Sequence, residues 1–230
     1  MCNACEVIFG DSLRAAESTG PAEWIAATLR GQPGTVAALV PNVYESALRL
    51  QAPAPTPDGW WQLYRDLFEF VGSVGARHTT TPIRAWFAIW EGHGFCPSIT
   101  RLGWRDPPAD AAERGSRESE RGRQLEADLD RTATIGPALA LVPRFDLPGR
   151  TYYLVGGSLD ALTDLRYPDD DGWRNPDLFW PSDRAWFAAT DVDIWSLYVG
   201  GSNAFISELK THAPTDCELV ENGDQLQIEE

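Results

Sequence analysis

From Thr56 onward the chain alternates apolar and polar side chains with a helical period. In "TPDGWWQLYRDLFEFVGS", Trp60, Leu63, Tyr64, Leu67, Phe70 and Val71 fall on one face, and Gln62, Arg65, Asp66 and Glu69 on the other. Thr56 and Pro57 suit the cap and first position of that helix. A different pattern follows in "PIRAWFAIWEGHG", where Trp86, Ala88 and Trp90 alternate with Ala85, Phe87 and Ile89, so both faces of an extended chain are apolar. This is the signature of an interior strand. One hundred residues later, "SDRAWFAATDVD" repeats the pentapeptide Arg-Ala-Trp-Phe-Ala and again runs into an acid, so Glu91 and Asp191 take matching places in two expected interior strands of one sheet.

Weaker patterns fill the remainder. "TGPAEWIAATLRG" predicts a short helix opened near Thr19, with Trp24, Ala27 and Thr28 on one face and Gly31 at its end. "GTVAALVP" and "VYESALRL" predict two strands around a turn at Pro41 and Asn42, and "ALALVPRFDLPGRTYYLV" a hairpin around Pro148 and Gly149. "RYPDDDGWRNPDLFWPSD" predicts a loop, and "CELVE" a final acidic strand. Many strands with only partial strand-helix alternation predict an α+β fold, a single mixed, mainly antiparallel sheet with helices packed on it, formed by one domain over residues 1–230. Residues 105–132 carry hardly an apolar side chain, which predicts a charged solvated helix or mobile loop inserted in that domain, with an interaction tail as its functional alternative.

Composition narrows the chemistry. The net charge is −15, from 34 acidic and 19 basic residues, which disfavours nucleic acid and anionic membrane and favours a basic protein partner. Lys210 is the only lysine, which leaves little room for a phosphate-loop lysine, a Schiff-base lysine or a lysine general base. The N-terminal "MCNACEVIFGDSLRAAESTGP" has no basic start and no long apolar run, so a cytoplasmic location with mostly reduced cysteines is expected.

"HTTTPIRAWFAIWEGHG" (78–94), "GRTYYLVGG" (149–157) and "DLFWPSDRAWFAATDVDIWSLYVGGS" (177–202) together resemble a family of actinobacterial proteins known mainly from genome sequences. The one lysine beside eighteen arginines suits a high-GC genome. The resemblance implies that the two halves fold together; it carries no activity, cofactor or catalytic residue. The "MCNAC" start, His93 with Cys96, and the charged insert lie outside its pattern.

Few residues offer chemistry. Val-Gly-Gly-Ser occurs at 155–158 and again at 199–202, either as two turns that offer backbone N–H groups to an anion or as two strand-to-helix turns. Neither copy has a following lysine or an extended glycine pattern, so the structural reading is preferred. Leu162 and Leu165 match Ile206 and Leu209 as core-facing positions after the two turns. Asp191 and Asp193, next to the second turn in sequence, could hold a divalent metal, and Glu91 beside Asp191 would make a carboxylate pair. Cys2, Cys5, His93 and Cys96 have the local spacing of two zinc half-sites, but the pairs are separated and one is terminal, so no bound zinc is expected. His78, His93 and His212 are too scattered for a nucleophile triad. Trp60, Trp86 and Trp186 are expected in the core, whereas Trp173, Trp180 and Trp195 are the better binding candidates.

The favoured function at this level is non-enzymatic binding of a basic protein partner, immunity- or antitoxin-like, with no cofactor. The alternatives are a metal-dependent enzyme using Glu91, Asp191 and Asp193, and a small-molecule or anion binder at the Val-Gly-Gly-Ser turns. Glu91, Asp191, Asp193, Trp195, Gly200, Gly201 and Ser202 are the ligand-binding candidates.

Overall fold

The computed structural model describes residues 12–52, 60–93, 140–167, 170–173, 175–192 and 194–227. Their strands are β1 (Arg14–Ala15), β2 (Ser46–Gln51), β3 (Ala85–Trp90), β4 (Arg144–Leu147), β5 (Arg150–Gly157), β6 (Arg166–Tyr167), β7 (Asp170–Trp173), β8 (Leu178–Pro181), β9 (Trp186–Asp191), β10 (Ile194–Gly201) and β11 (Cys217–Val220). The helices are α1 (Glu23–Thr28), α2 (Val36–Leu39), α3 (Trp60–Arg77) and α4 (Asn203–His212). Nine strands form one sheet in the order β1-β5-β3-β8-β9-β10-β2-β11, with β4 beside the other half of β5, and β6 and β7 pair separately. The fold is α+β, and every described ladder is antiparallel.

Both Arg-Ala-Trp-Phe-Ala segments supply interior strands, as their two apolar faces require. β3 lies between β5 and β8, and β9 between β8 and β10. Between them sits a strand where the sequence suggested a loop. β8, Leu-Phe-Trp-Pro, is buried at all four positions, and its short apolar run is hidden among prolines and aspartates in the sequence.

Each face of the sheet has its own core. On one face α3 presents Tyr64, Leu67, Phe68, Val71 and Val74, and α4 presents Phe205, Ile206 and Leu209, against Phe87, Phe179, Trp186 and Leu197. The buried stripe of α3 is rotated slightly from the sequence expectation, since Leu63 is exposed. Phe68 stacks on Phe179 at 5.5 Å, and Trp186 meets Phe179 edge-on at 5.6 Å. Offset and edge-to-face pairs of this kind add to the gain from burial alone. The Trp186 indole donates a hydrogen bond to the Gly75 carbonyl at 2.9 Å, so its polar edge is satisfied inside the core.

The other face is covered by the N-terminal segment and the chain's C-terminal end. Ala22 and Ile25, rather than Ala27 and Thr28, are the buried positions of the first helical segment. "TVAALV" is not a strand: Val36–Leu39 forms one helical turn, whose Val36 and Ala37 N–H groups donate to the Asp224 and Asn222 carbonyls. Helical spacing brings Val36 and Val40 to one side, both buried in this core, and the packing overrides the β preference of valine. Pro148 and Gly149 make the expected β4–β5 turn, with Gly149 at φ 81 as a type II turn requires. Among the described residues no helix is long and apolar enough to cross a membrane.

Trp186 can sit where it does only because residue 75 has no side chain: a Cβ on Gly75 would lie 2.4 Å from Trp186 Cζ2. Gly75→Ala is therefore expected to destabilise the fold by about 1–2 kcal/mol, overpacking outweighing the better helix propensity of alanine. Gly72→Ala, whose Cβ would meet only Leu162 Cδ2 at 3.2 Å, should stay within about 1 kcal/mol of wild type. Chemical denaturation of the two variants checks the difference, and equal stability of both would contradict the ring packing described.

Candidate functional site

The two Val-Gly-Gly-Ser turns do end strands and precede helical segments. Ser202 accepts a hydrogen bond from the Phe205 N–H at 3.3 Å and caps α4, while Ser158 opens a 3-10 turn over Leu159–Thr163 without a side-chain cap. Gly200 and Gly201 are buried under side chains: a Cβ at 200 would stand 2.7 Å from both Tyr44 Cδ2 and Val40 Cγ1, and one at 201 would stand 2.5 Å from Phe205 Cδ1. Close approach, not a left-handed backbone, is what requires glycine there; the described glycines with positive φ are Gly34 and Gly149. Leu162, Leu165, Ile206 and Leu209 are all buried.

Asp191 lies at the opposite end of the β9–β10 hairpin from Gly200, which pairs with Phe187. Their proximity in sequence does not become proximity in space. Nor do Glu91 and Asp191 match in the sheet. Ala88 pairs with Leu178 and Leu178 with Ala189, so the lateral neighbour in the row of Ala189 is Ala88, not the sequence-equivalent Ile89. The repeat is out of step by one residue, and one residue reverses the face of the sheet.

The two acids accordingly serve two separate ion pairs. Glu91 accepts from Arg144 at 2.8 Å, and the Tyr153 hydroxyl lies 3.4 Å away; Arg144 pairs with Tyr153 on the α3 side. Asp191 takes both ends of the Arg150 guanidinium, with the Nε contact at 2.7 Å, and that guanidinium covers the Trp90 ring at 4.3 Å on the other side. Asp193 lies outside the described residues, as do Cys2, Cys5, Cys96, the 105–132 segment and the side chains of His93 and Trp173. Trp195 packs half-buried on the α3-side core, away from Asp191, and Trp180 is fully buried in β8. Among the described residues no three His, Cys, Asp or Glu side chains converge on a possible metal site.

A different place brings polar and aromatic side chains together beside an open cleft. Arg14 of β1, Gly156 of β5, Trp86 of β3 and Trp180 of β8 form one row across the sheet. Directly opposed residues share a face, so the missing side chain at 156 leaves a floor between Arg14 and Trp86. The Trp86 ring leans over that floor, its Cζ3 only 2.9 Å from where a Gly156 Cβ would be. Above it opens a cleft of about 580 Å³, walled by Glu17, Ser18 and Pro21 on one side and by Ile83, Arg84 and Ser182 on the other.

The wall carrying Arg84 and Ser182 is fixed by a loop clamp. Asp183 accepts from the Thr79 hydroxyl, the Thr80 hydroxyl and the Thr80 N–H, each at 2.7 Å, and from the Ala185 N–H at 3.2 Å. In return the Thr81 hydroxyl accepts from the Asp183 N–H at 3.1 Å, and the Ser182 N–H donates to the Arg84 carbonyl at 2.9 Å. "HTTTP" and "PSDR" are thus two halves of one device, a hundred residues apart in sequence. Partial burial pushes the Asp183 carboxyl up, but the hydrogen bonds from Thr80, Thr79 and Ala185 outweigh it and hold the group below its ordinary range.

Of the two arginines that line the cleft, Arg14 donates to the Leu13 carbonyl at 2.8 Å. The exposed Arg84 guanidinium has no hydrogen-bond or ion-pair partner among the described residues. Ser182 Oγ is buried without a partner. Trp86 is half-buried and has no ring or cation partner among the described residues, unlike Trp24, Trp180 and Trp186, which stack on other rings, and Trp90, which lies under Arg150. Of the lining residues only Glu17 is acidic, against the two arginines. Neither arginine stood out in the sequence; only the strand pairing brings them to one cleft. Compared with known proteins, the chain matches no family model, no curated protein and no solved structure.

Because the Asp183 carboxyl is held low, its contribution is full above the ordinary carboxylate range and is lost as pH falls through the folded-state value. Asp183→Asn should therefore be about 1–2 kcal/mol less stable than wild type at neutral pH, the exposed setting limiting the loss. The gap should close below about pH 4, as the wild-type carboxyl protonates. Thermal denaturation of both proteins from pH 3 to 8 checks this; a gap that does not change with pH would contradict the clamp.

Proposed function

We propose that this protein binds a small anionic ligand in the cleft above Gly156. The observation that carries this reading is an open cleft lined by both Arg14 and Arg84, the latter exposed and without a side-chain partner among the described residues, in a chain whose net charge is −15. A guanidinium offers the fork of N–H donors that carboxylate and phosphate groups accept. The net negative charge does not defeat it. A contact pair of unit charges near a protein surface is worth about 4 kcal/mol at an effective dielectric constant of about 20, whereas charges beyond the Debye length of about 8 Å are largely screened at physiological salt. The local arginines dominate the field an anion meets inside the cleft.

The acidic surface supports a second reading, recruitment of a basic protein partner from a cytoplasmic pool, and its supporting observation is the −15 charge itself. That charge is spread over the chain and marks no particular patch. The cleft is the more specific feature, and the anion reading is preferred for that reason.

Pyrophosphate at millimolar concentration is expected to raise the melting temperature of the wild type by mass action. Arg84→Gln, an exposed change that removes no internal contact, should abolish the rise while leaving the melting temperature without anion unchanged. An equal rise in both proteins, or none in wild type, would sink the proposal.

A further inference from the structure

The cleft contains more than charge. Its floor is a row in which a tryptophan ring lies beside a glycine backbone, and that half-exposed tryptophan is part of the cleft lining. An anion held by Arg14 and Arg84 alone would not need Trp86 there. Apolar packing does not account for its position either, since Trp86 touches the neighbouring core while remaining half-exposed. Glycine at 156 lets the ring lie down toward the β5 backbone instead of standing upright from the sheet, and an upright side chain at 156 would fill the space beside Arg14. The exposed Ile83 side chain, 78% accessible, adds apolar surface to the same opening. A planar ring with a charged arm is the shape that uses all of these features together.

We infer that the ligand is a planar aromatic anion: its ring stacks on Trp86 and its phosphate or carboxylate group reaches the exposed Arg84, with Arg14 in the lining of the same cleft. The inference rests on the anion-binding reading of the same cleft and adds the ring. A cleft of about 580 Å³ falls in the size range of small-molecule sites. Stacking on an aromatic side chain is tolerant of ring identity, so Trp86 sets the class of ligand and not the particular base.

Adenosine 5′-monophosphate, ribose 5-phosphate and adenosine, titrated calorimetrically into the full chain, separate the contributions. The monophosphate nucleotide is expected to bind at least about tenfold tighter than ribose 5-phosphate, and adenosine more weakly than the nucleotide. Trp86→Leu should reduce the nucleotide to the affinity of ribose 5-phosphate without changing the latter, and Trp86→Phe should restore part of the difference. Equal affinity for the nucleotide and ribose 5-phosphate in wild type overturns the stacking inference and leaves the anion reading standing. If neither of them binds, and pyrophosphate gives no thermal shift, both fall together. The comparison of ligands on wild-type protein does not depend on any variant folding.

Discussion

Large aromatic rings in this protein lie on glycine backbone, and the arrangement of the sheet depends on that contact. Trp186 rests on Gly75 of α3, Phe205 on Gly201, Tyr44 on Gly200 and Trp86 toward Gly156. In each place the ring occupies the volume a side chain would need, so the elements approach more closely than two ordinary side chains would permit. Trp186 ties α3 to β9 in this way, and its indole bond to Gly75 fixes the register of helix against strand. At Gly201 the contact lets α4 fold back directly from the end of β10. At Gly156 the same device borders an open cleft instead of a helix, and the ring is left half-exposed.

The repeated sequences illustrate how local likeness and spatial role diverge. Alternation of apolar side chains identified β3 and β9 as interior strands, because a strand buried on both faces has no polar side to show. It could not reveal that β8 intervenes with a register that shifts the two repeats by one residue. That shift sends Trp186 into the α3-side core and Trp86 to the opposite face, although both occupy the third position of Arg-Ala-Trp-Phe-Ala. It also divides Glu91 from Asp191, each of which takes an arginine from the β4–β5 hairpin or its neighbouring strand. α3 and the Pro148-Gly149 turn were legible since their signals are local. α2 was not, because its helical turn is held by hydrogen bonds from the C-terminal segment near residues 222–224.

The site was less legible than the fold for the same reason. Arg14, the stretch that holds Arg84 and Trp86, Gly156 and Ser182 are well separated in sequence, and neither Arg14 nor Ser182 is unusual in its own neighbourhood. What joins them is strand pairing on one side and the Asp183 clamp on the other. The threonines and the aspartate of that clamp look like ordinary loop residues in sequence, yet they close one side of the cleft across a hundred residues of chain. In the proposed ligand cleft, glycine at the first Val-Gly-Gly-Ser serves through the room it leaves for a ring and not through a phosphate-cradling loop. The second copy, covered by Tyr44 and Phe205, is architecture.

The position of Trp86 is the point on which fold and function meet, and its indole N–H reports on it directly. In a ¹⁵N–¹H spectrum recorded while adenosine 5′-monophosphate is added, the indole resonance assigned by its loss in Trp86→Phe should move with saturation. The Trp186 indole, buried and bonded to Gly75, should stay in place. Movement of the Trp186 resonance with Trp86 unaffected, or no movement of any indole at saturating pyrophosphate and nucleotide, would contradict the account.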